Sequence, residues 1–171
     1  MLNKVTMERL GRSFFLRPTV QVAQDLLGKR LIFQNYSGII TETEAYHQDD
    51  DPACHAHKGK TPRNAPMFGL AGQSYVYFIY GMYHCLNIVT EPEGIAAAVL
   101  IRGLTIETMN LNGPGKVCRH LKITKDHNAI DLITSDYFYI CEGTSRLDFM
   151  ATPRIGIRHG TDKLWRFVTQ S

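Results

Sequence analysis

The run Tyr75-Val76-Tyr77-Phe78-Ile79-Tyr80-Gly81-Met82-Tyr83-His84-Cys85-Leu86-Asn87-Ile88-Val89 restricts the fold more than any other stretch of this chain. Aromatic and β-branched residues favour extended backbone, and a glycine inside such a run marks a turn, a bulge or a close backbone approach. The sequence therefore predicts two strands joined by a tight turn near Gly81. A hairpin buried on both faces would carry Leu, Ile and Val. This one carries Tyr75, Tyr77, Tyr80 and Tyr83, whose rings are apolar in body and polar at the tip. Any one tyrosine fits an ordinary aromatic strand with its hydroxyl satisfied at the surface, whereas four on one hairpin suggest that some rings meet a ligand.

A chain of 171 residues that is 44% hydrophobic supplies one full core, and two independent domains would each be small. We expect one domain spanning 1–171. No opening segment has the pattern of an export signal and no stretch reaches the length of a membrane span, so an intracellular protein is expected. Cys54, Cys85, Cys118 and Cys141 lack the close pairing of a zinc site and the density of a secreted disulfide scaffold, and read as free thiols. His55 and His57 have no third ligand at a recognisable spacing, so neither metal nor cofactor is expected.

The net charge of +3 says little about partners, but its distribution says more. Pro52 to Thr90 contains no Asp or Glu yet holds Lys58, Lys60 and Arg63; Thr108 to Lys125 is also acid-free and holds Lys116, Arg119, Lys122 and Lys125. Two such stretches fit a face kept clear of negative charge for a polyanion, or chance among solvated loops.

Along the chain, Met1 to Phe15 is weakly patterned. Pro18 to Gly28 reads as a short amphipathic helix, and Lys29–Gln34 with Ser37–Tyr46 as two strands turned at Asn35-Tyr36. A period of two places Glu42, Glu44 and Tyr46 on one face, which is either a solvated edge or a carboxylate set beside an aromatic floor. His47 to Gln73 is a long loop anchored by Met67-Phe68, a length that usually signals function or disorder. Ala96 to Arg102 reads as an apolar strand ending in an arginine, whose guanidinium needs a partner, with Glu42 and Glu44 the candidates. Asn112-Gly113-Pro114-Gly115-Lys116 opens a helix and suits either a phosphate or a plain helix entry. Asp126–Ile133 suggests a helical turn; Tyr137–Cys141, Arg154–Arg158 and Leu164–Thr169 read as strands. The expected fold is mixed α/β (α+β): a curved, mainly antiparallel sheet with surrounding helices and a protruding hairpin.

These motifs, taken in order, are recognisable. Glu42-Thr43-Glu44-Ala45-Tyr46, His55, Thr61-Pro62-Arg63-Asn64 with Met67-Phe68, the tyrosine hairpin with Asn87, Asn112 to Lys116, and Pro153-Arg154-Ile155-Gly156-Ile157 together resemble the alkyladenine DNA glycosylase family, also called 3-methyladenine DNA glycosylases. The resemblance runs from Phe14 to Phe167. It implies hydrolytic excision of damaged purines from double-stranded DNA by a monomer without metal or cofactor, the nucleotide being flipped out of the duplex. By the same resemblance, Glu44 and Arg102 are catalytic, and Tyr46, His55, Tyr77, Asn87 and Leu100 form the base pocket. Tyr80 and Met82 enter the minor groove, while Arg63, Lys116 and Arg119, from the acid-free stretches, are expected on the DNA backbone. Arg102 is expected to keep Glu44 ionised.

The acidic loop Gln48–Pro52 departs from the family's pattern before the histidine and predicts either a shifted His55 or no effect. Two rivals remain on sequence alone. A non-catalytic nucleic-acid-binding module would use the rings and basic loops but leave Glu44 and Arg102 without a task. A small-molecule hydrolase would use Glu44 but not the basic stretches.

Overall fold

Twelve residues of strand, β2 (Tyr36–His47), organise the molecule. The computed structural model describes residues 7–144 and 147–170. Before β2 come helices α1 (Arg12–Phe15) and α2 (Thr19–Asp25) and strand β1 (Arg30–Phe33); after it come β3 (Ser74–Ile79), β4 (Tyr83–Val89), β5 (Ala97–Ile106), β6 (Met109–Asn112), α3 (Pro114–Leu121), β7 (Phe138–Cys141), β8 (Phe149–Thr152) and β9 (Arg166–Thr169). The strands form one sheet in the order β3-β4-β5-β2-β1-β7, with β6 on β5 and the pair β8-β9 joined to β2 through β9. Every pairing is antiparallel. This is the expected curved antiparallel sheet with a few helices.

One edge of β2 is taken by β5 from Ile39 to His47, while the other is divided between β1 at its start and β9 at Glu42–Glu44. Register shifts on both sides of Glu42 mark the division, and such irregularity bends a strand and strengthens its twist. Gly103 faces this point: a Cβ there would lie 2.7 Å from Thr41 Oγ1 and 2.8 Å from Glu42 Cβ. Only glycine lets the two backbones approach so closely.

Two clusters of buried side chains lie against the sheet. The larger draws on α2 (Val22, Ala23), α3 (Val117, Leu121) and the alternate residues Val76, Leu86, Ile88, Val99 and Ile101. The smaller contains Cys54, Ala56, Met67, Tyr75, Val89, Ala96 and Ala98, with Tyr46, Phe68 and Tyr77 packed on it. Strand alternation separates the two: Val76 faces the main core and Tyr75 and Tyr77 face the smaller cluster. The hairpin turn falls at Tyr80 (φ 55°) and Gly81 (φ 63°), two left-handed residues whose twist matches that of the flanking strands.

Several expectations are corrected. Arg154–Arg158 is not a strand but part of an irregular loop, because Gly156 takes φ 76° and the Ile155 N–H is spent on a side-chain carboxylate. The helical turn expected within Asp126–Ile133 is instead present as one 3-10 turn at its start, Lys125–His127. Strands β6 and β8 were not anticipated, nor was α1, the described helix within the weakly patterned Met1–Phe15 stretch, of which residues 1–6 lie outside the described residues. The His47–Gln73 segment is mostly turns around a 3-10 helix at Ala65–Phe68. No described helix is long and apolar enough to cross a membrane.

Candidate active site

Where β2, β5 and the tyrosine hairpin meet the loop after β8, a cavity of about 360 Å³ opens, within the size range of small-molecule sites. Glu44, Tyr46, His55, Tyr77, Tyr80, Asn87, Leu100 and Arg102 all line it. Sequence positions from four strands and two loops are thus brought together because β3 pairs with β4, β4 with β5 at Asn87↔Leu100, and β5 with β2 at Leu100↔Glu44. That row of register partners runs straight across the cavity floor.

Glu44 has no exposed surface, so the solvated-edge alternative is lost. Its Oε1 accepts a 2.8 Å hydrogen bond from the Tyr46 hydroxyl and its Oε2 a 2.7 Å bond from the Ile155 N–H. The guanidinium of Arg102 lies 3.8 Å from Oε1. Arg102 itself is shared, since its Nε donates to Glu42 at 3.1 Å, and Glu42 is also paired with Arg166. Glu42 stays outside the cavity lining and serves to orient Arg102.

The aromatic wall is built by contact between rings. His55 packs edge-on to Tyr77 at 4.4 Å between centroids, and its Nδ1 lies 3.2 Å from the Tyr75 hydroxyl. The loop carrying His55 is fixed from behind by buried Asn64, whose Nδ2 donates to the carbonyls of His55 and Gly59. This explains the Asn at the end of Thr61-Pro62-Arg63-Asn64. Asn87 is buried and held by a 3.1 Å bond from its Nδ2 to the Tyr75 carbonyl.

The remaining expected residues surround the opening or stand apart from it. Tyr80 and Met82 project from the hairpin tip, 69% and 72% exposed. Arg63 donates to the Phe78 carbonyl and sits over the Tyr77 ring. Lys116 and Arg119 are exposed on α3 and outside the cavity lining, Lys116 donating to Asn112. The start of α3 still abuts the hairpin, for a Cβ on Gly115 would meet the Tyr83 ring at 2.8 Å. The first acid-free stretch therefore contains the hairpin and the second abuts it.

Sequence reasoning missed Asp51 and Arg154, a fully buried ion pair at 2.7 Å behind the site. The signal was available in both the unexplained acidic loop and the Pro153-Arg154-Ile155 motif. Among the described residues, no three His, Cys, Asp or Glu side chains gather to hold a metal ion.

Comparison with known proteins identifies the family. Residues 13–171 match the family described as methylpurine-DNA glycosylase. This chain belongs to that family. A relative from Sodalis glossinidius is 62% identical over 161 residues, covering 92% of this chain and 95% of its own length. One from Wolbachia sp. subsp. Brugia malayi (strain TRS) is 59% identical over 163 residues (94% and 96%), and one from Rickettsia felis is 53% identical over 170 (98% and 95%). Each bears the name "Putative 3-methyladenine DNA glycosylase". Membership of the methylpurine-DNA glycosylase family makes the chain a DNA N-glycosylase, with DNA as its substrate.

The electrostatics of this glycosylase cavity are dominated by burial. Burial pushes the Glu44 carboxyl above its ordinary range, against the pull of Arg102, the Ile155 N–H, Tyr46 and Arg154. Arg102 thus acts in the expected direction but does not prevail. Burial, then the nearby Glu44 charge, pushes Tyr46 far up, so its hydroxyl stays a donor. Burial and the Arg63 charge lower His55, favouring a neutral ring at physiological pH.

Proposed function

We propose that this glycosylase accepts an alkylated purine, 3-methyladenine foremost, rotated out of duplex DNA, and hydrolyses its N-glycosidic bond with Glu44 as the base. The observation that carries the reading is the buried Glu44 carboxylate at the wall of a ring-lined cavity, with Arg102 at 3.8 Å. A purine alkylated at N3 or N7 is cationic, and aromatic faces attract it by roughly 0.5–2 kcal/mol. Tyr46, His55 and Tyr77 supply those faces, and Asn87 crowds the space that a guanine amino group would need.

Each Glu44 oxygen keeps a second lone pair beyond its bond to Tyr46 or Ile155. One of these takes a proton from water as the water oxygen bonds to C1′. The C1′–N9 bond breaks with its electron pair moving onto the purine, which leaves neutral. The carboxylate also stabilises the positive charge that develops on the sugar. A cationic base needs no acid to leave, whereas hypoxanthine or ethenoadenine would need a proton.

Tyr80 and Met82 fill the space vacated in the stack, offsetting an unstacking cost of roughly a few kcal/mol per step. Arg63, Lys116 and Arg119 meet phosphates on either side. The deciding experiment is a single-turnover assay on duplexes carrying 3-methyladenine, 7-methylguanine, hypoxanthine or ethenoadenine. Free 3-methyladenine is expected from the wild type and none from Glu44→Gln, which should still bind the damaged duplex. An active Glu44→Gln protein would end this mechanism.

A further inference from the structure

We propose that Asp51 and Arg154 are positioning residues that clamp three pieces of the cavity wall together and so hold the Ile155 N–H against Glu44. This rests on the role of Glu44 set out above. The two side chains meet in a doubly bonded pair, Nη1 to Oδ2 and Nη2 to Oδ1, both at 2.7 Å and both without exposed surface.

Each partner reaches beyond the pair. Arg154 Nη1 also donates to the Ala45 carbonyl at 2.9 Å, between Glu44 and Tyr46, and Nη2 to the Gly160 carbonyl at 3.2 Å. Asp51 accepts from the backbone N–H of His47 on Oδ2 and of Ala53 on Oδ1, both at 3.2 Å. The guanidinium lies over the Tyr46 ring at 4.7 Å and the Trp165 ring at 5.3 Å. One ion pair thereby ties the end of β2, the loop leading to His55 and the loop at 153–160.

A buried ion pair is often no more stabilising than apolar side chains of the same volume. Its particular contribution is geometric, because a planar fork against a carboxylate fixes direction as well as distance. The residue after Arg154 is the one whose N–H reaches Glu44 Oε2. Ile155 is exposed and its loop turns through Gly156 at φ 76°. With no strand ladder to hold that loop, the Arg154 anchor sets where the Ile155 amide points.

The groups facing Glu44 are Tyr46 from its own strand, Arg102 from β5, Arg154 and the Ile155 amide from the loop, and Cys85 from β4. Arg154 and the amide both favour the ionised carboxylate. Loss of the clamp removes both effects, so the pH at which Glu44 ionises must rise.

The test compares the wild type, the charge-neutral double variant Asp51→Asn/Arg154→Gln, and Gly160→Ala. At Gly160 an added Cβ would press on Arg154 Nη2 at 2.8 Å and Asp51 Oδ1 at 3.2 Å, leaving both charges in place. Single-turnover release of 3-methyladenine from methylated duplex DNA is followed against pH, with binding of the same duplex measured separately. The Glu44 carboxyl is titrated in parallel by 13C NMR.

In the double variant we expect the acid limb and the Glu44 titration to move up together by about 0.5–1 pH unit, with rates on that limb about 3–10-fold lower and largely recovered above it. Gly160→Ala should shift both in the same direction by less. Profiles lowered evenly at every pH, with the Glu44 titration unmoved, would reduce the pair to a structural role and overturn the proposal. Should the double variant not fold, Gly160→Ala decides on the same criteria. A wild type that releases no base, or an active Glu44→Gln, instead removes the glycosylase mechanism and this proposal with it, and neither outcome resembles an unmoved titration in an active enzyme.

Discussion

The hydroxyl of Tyr46 donates a 2.8 Å hydrogen bond to Oε1 of Glu44, its neighbour at i−2 on the same face of β2. The contact gives Tyr46 two separable roles, an aromatic wall for a cationic base and a proton donor to the carboxylate. Tyr46→Phe keeps the first and removes the second. With one favourable partner gone, the already raised Glu44 pKa rises further, by about 0.5–1 unit for a lost hydrogen bond of about 1 kcal/mol. On the acid limb of the profile excision should fall by roughly 3–10-fold and recover as pH rises above it, with damaged-duplex affinity unchanged. A pH–rate profile checks this; an acid limb that stays put would deny Tyr46 its part.

Glu44 also makes a prediction about stability. Its folded pKa is raised by burial, so folding disfavours the ionised form. Its contribution to stability is greatest below the unfolded pKa and is lost as pH rises through the folded value. Glu44→Gln removes that cost at neutral pH, and the amide can still accept from the Ile155 N–H. The variant should be inactive, down roughly 10²–10⁴-fold, yet more stable by about 1 kcal/mol, a rise of about 2–4 °C in Tm. Thermal melts should show this gain at pH 7 and its disappearance near pH 4. Equal melting temperatures at both pH values would mean that the buried carboxylate carries no such cost.

How much of this was legible beforehand follows from the range of the interactions involved. The hairpin was readable because alternation and a central glycine are local signals, and Glu44, Tyr46 and Arg102 because strand periodicity places side chains by face. Asp51 and Arg154 lie 103 residues apart, and no local pattern distinguishes an acid that will be buried from one left in a wet loop. Arg154–Arg158 reads as a strand, but the positive φ of Gly156 and the demand of Glu44 for an N–H donor prevail over that reading. Strands β6 and β8 are short and lack a buried apolar face, with Leu111 the one buried residue between them. Neighbouring strands, not their own sequences, make them extended. Burial of Glu44 likewise depends on the loop folded over it, which is why sequence indicated the influence of Arg102 but not that burial would exceed it.

Selectivity should depend on Asn87. Its Nδ2 is tied to the Tyr75 carbonyl, so the buried side chain cannot swing aside for a larger base. Asn87→Ser shortens it and opens the cavity next to Leu100, its partner across β4 and β5. The ratio of 7-methylguanine to 3-methyladenine released from methylated DNA should rise by about 10-fold, the scale of one steric discrimination in a pocket. Loss of the hydrogen bond should cost about 1 kcal/mol of stability. Chromatography of the released bases reads the ratio directly, and an unchanged ratio at full folding would place guanine exclusion elsewhere.

The hairpin tip offers a test in which stability and function separate. Tyr80 is 69% exposed and sits at φ 55° beside Gly81, so its ring contributes little to the core. Tyr80→Ala should change folding stability by no more than about 0.5 kcal/mol. Without the ring, the gap left by the flipped nucleotide stays unfilled, and the unstacking cost of roughly a few kcal/mol is no longer offset. Excision from duplex DNA should therefore fall by about 10–100-fold, corresponding to about 1.4–2.8 kcal/mol. The same lesion in a single strand has no stack to leave, so its release should change little. Met82→Ala, beside it and 72% exposed, should show the same pattern with a smaller duplex effect. Parallel single-turnover rates on the two substrates decide the matter: equal losses on both would assign Tyr80 to the cavity rather than to the opening of the helix.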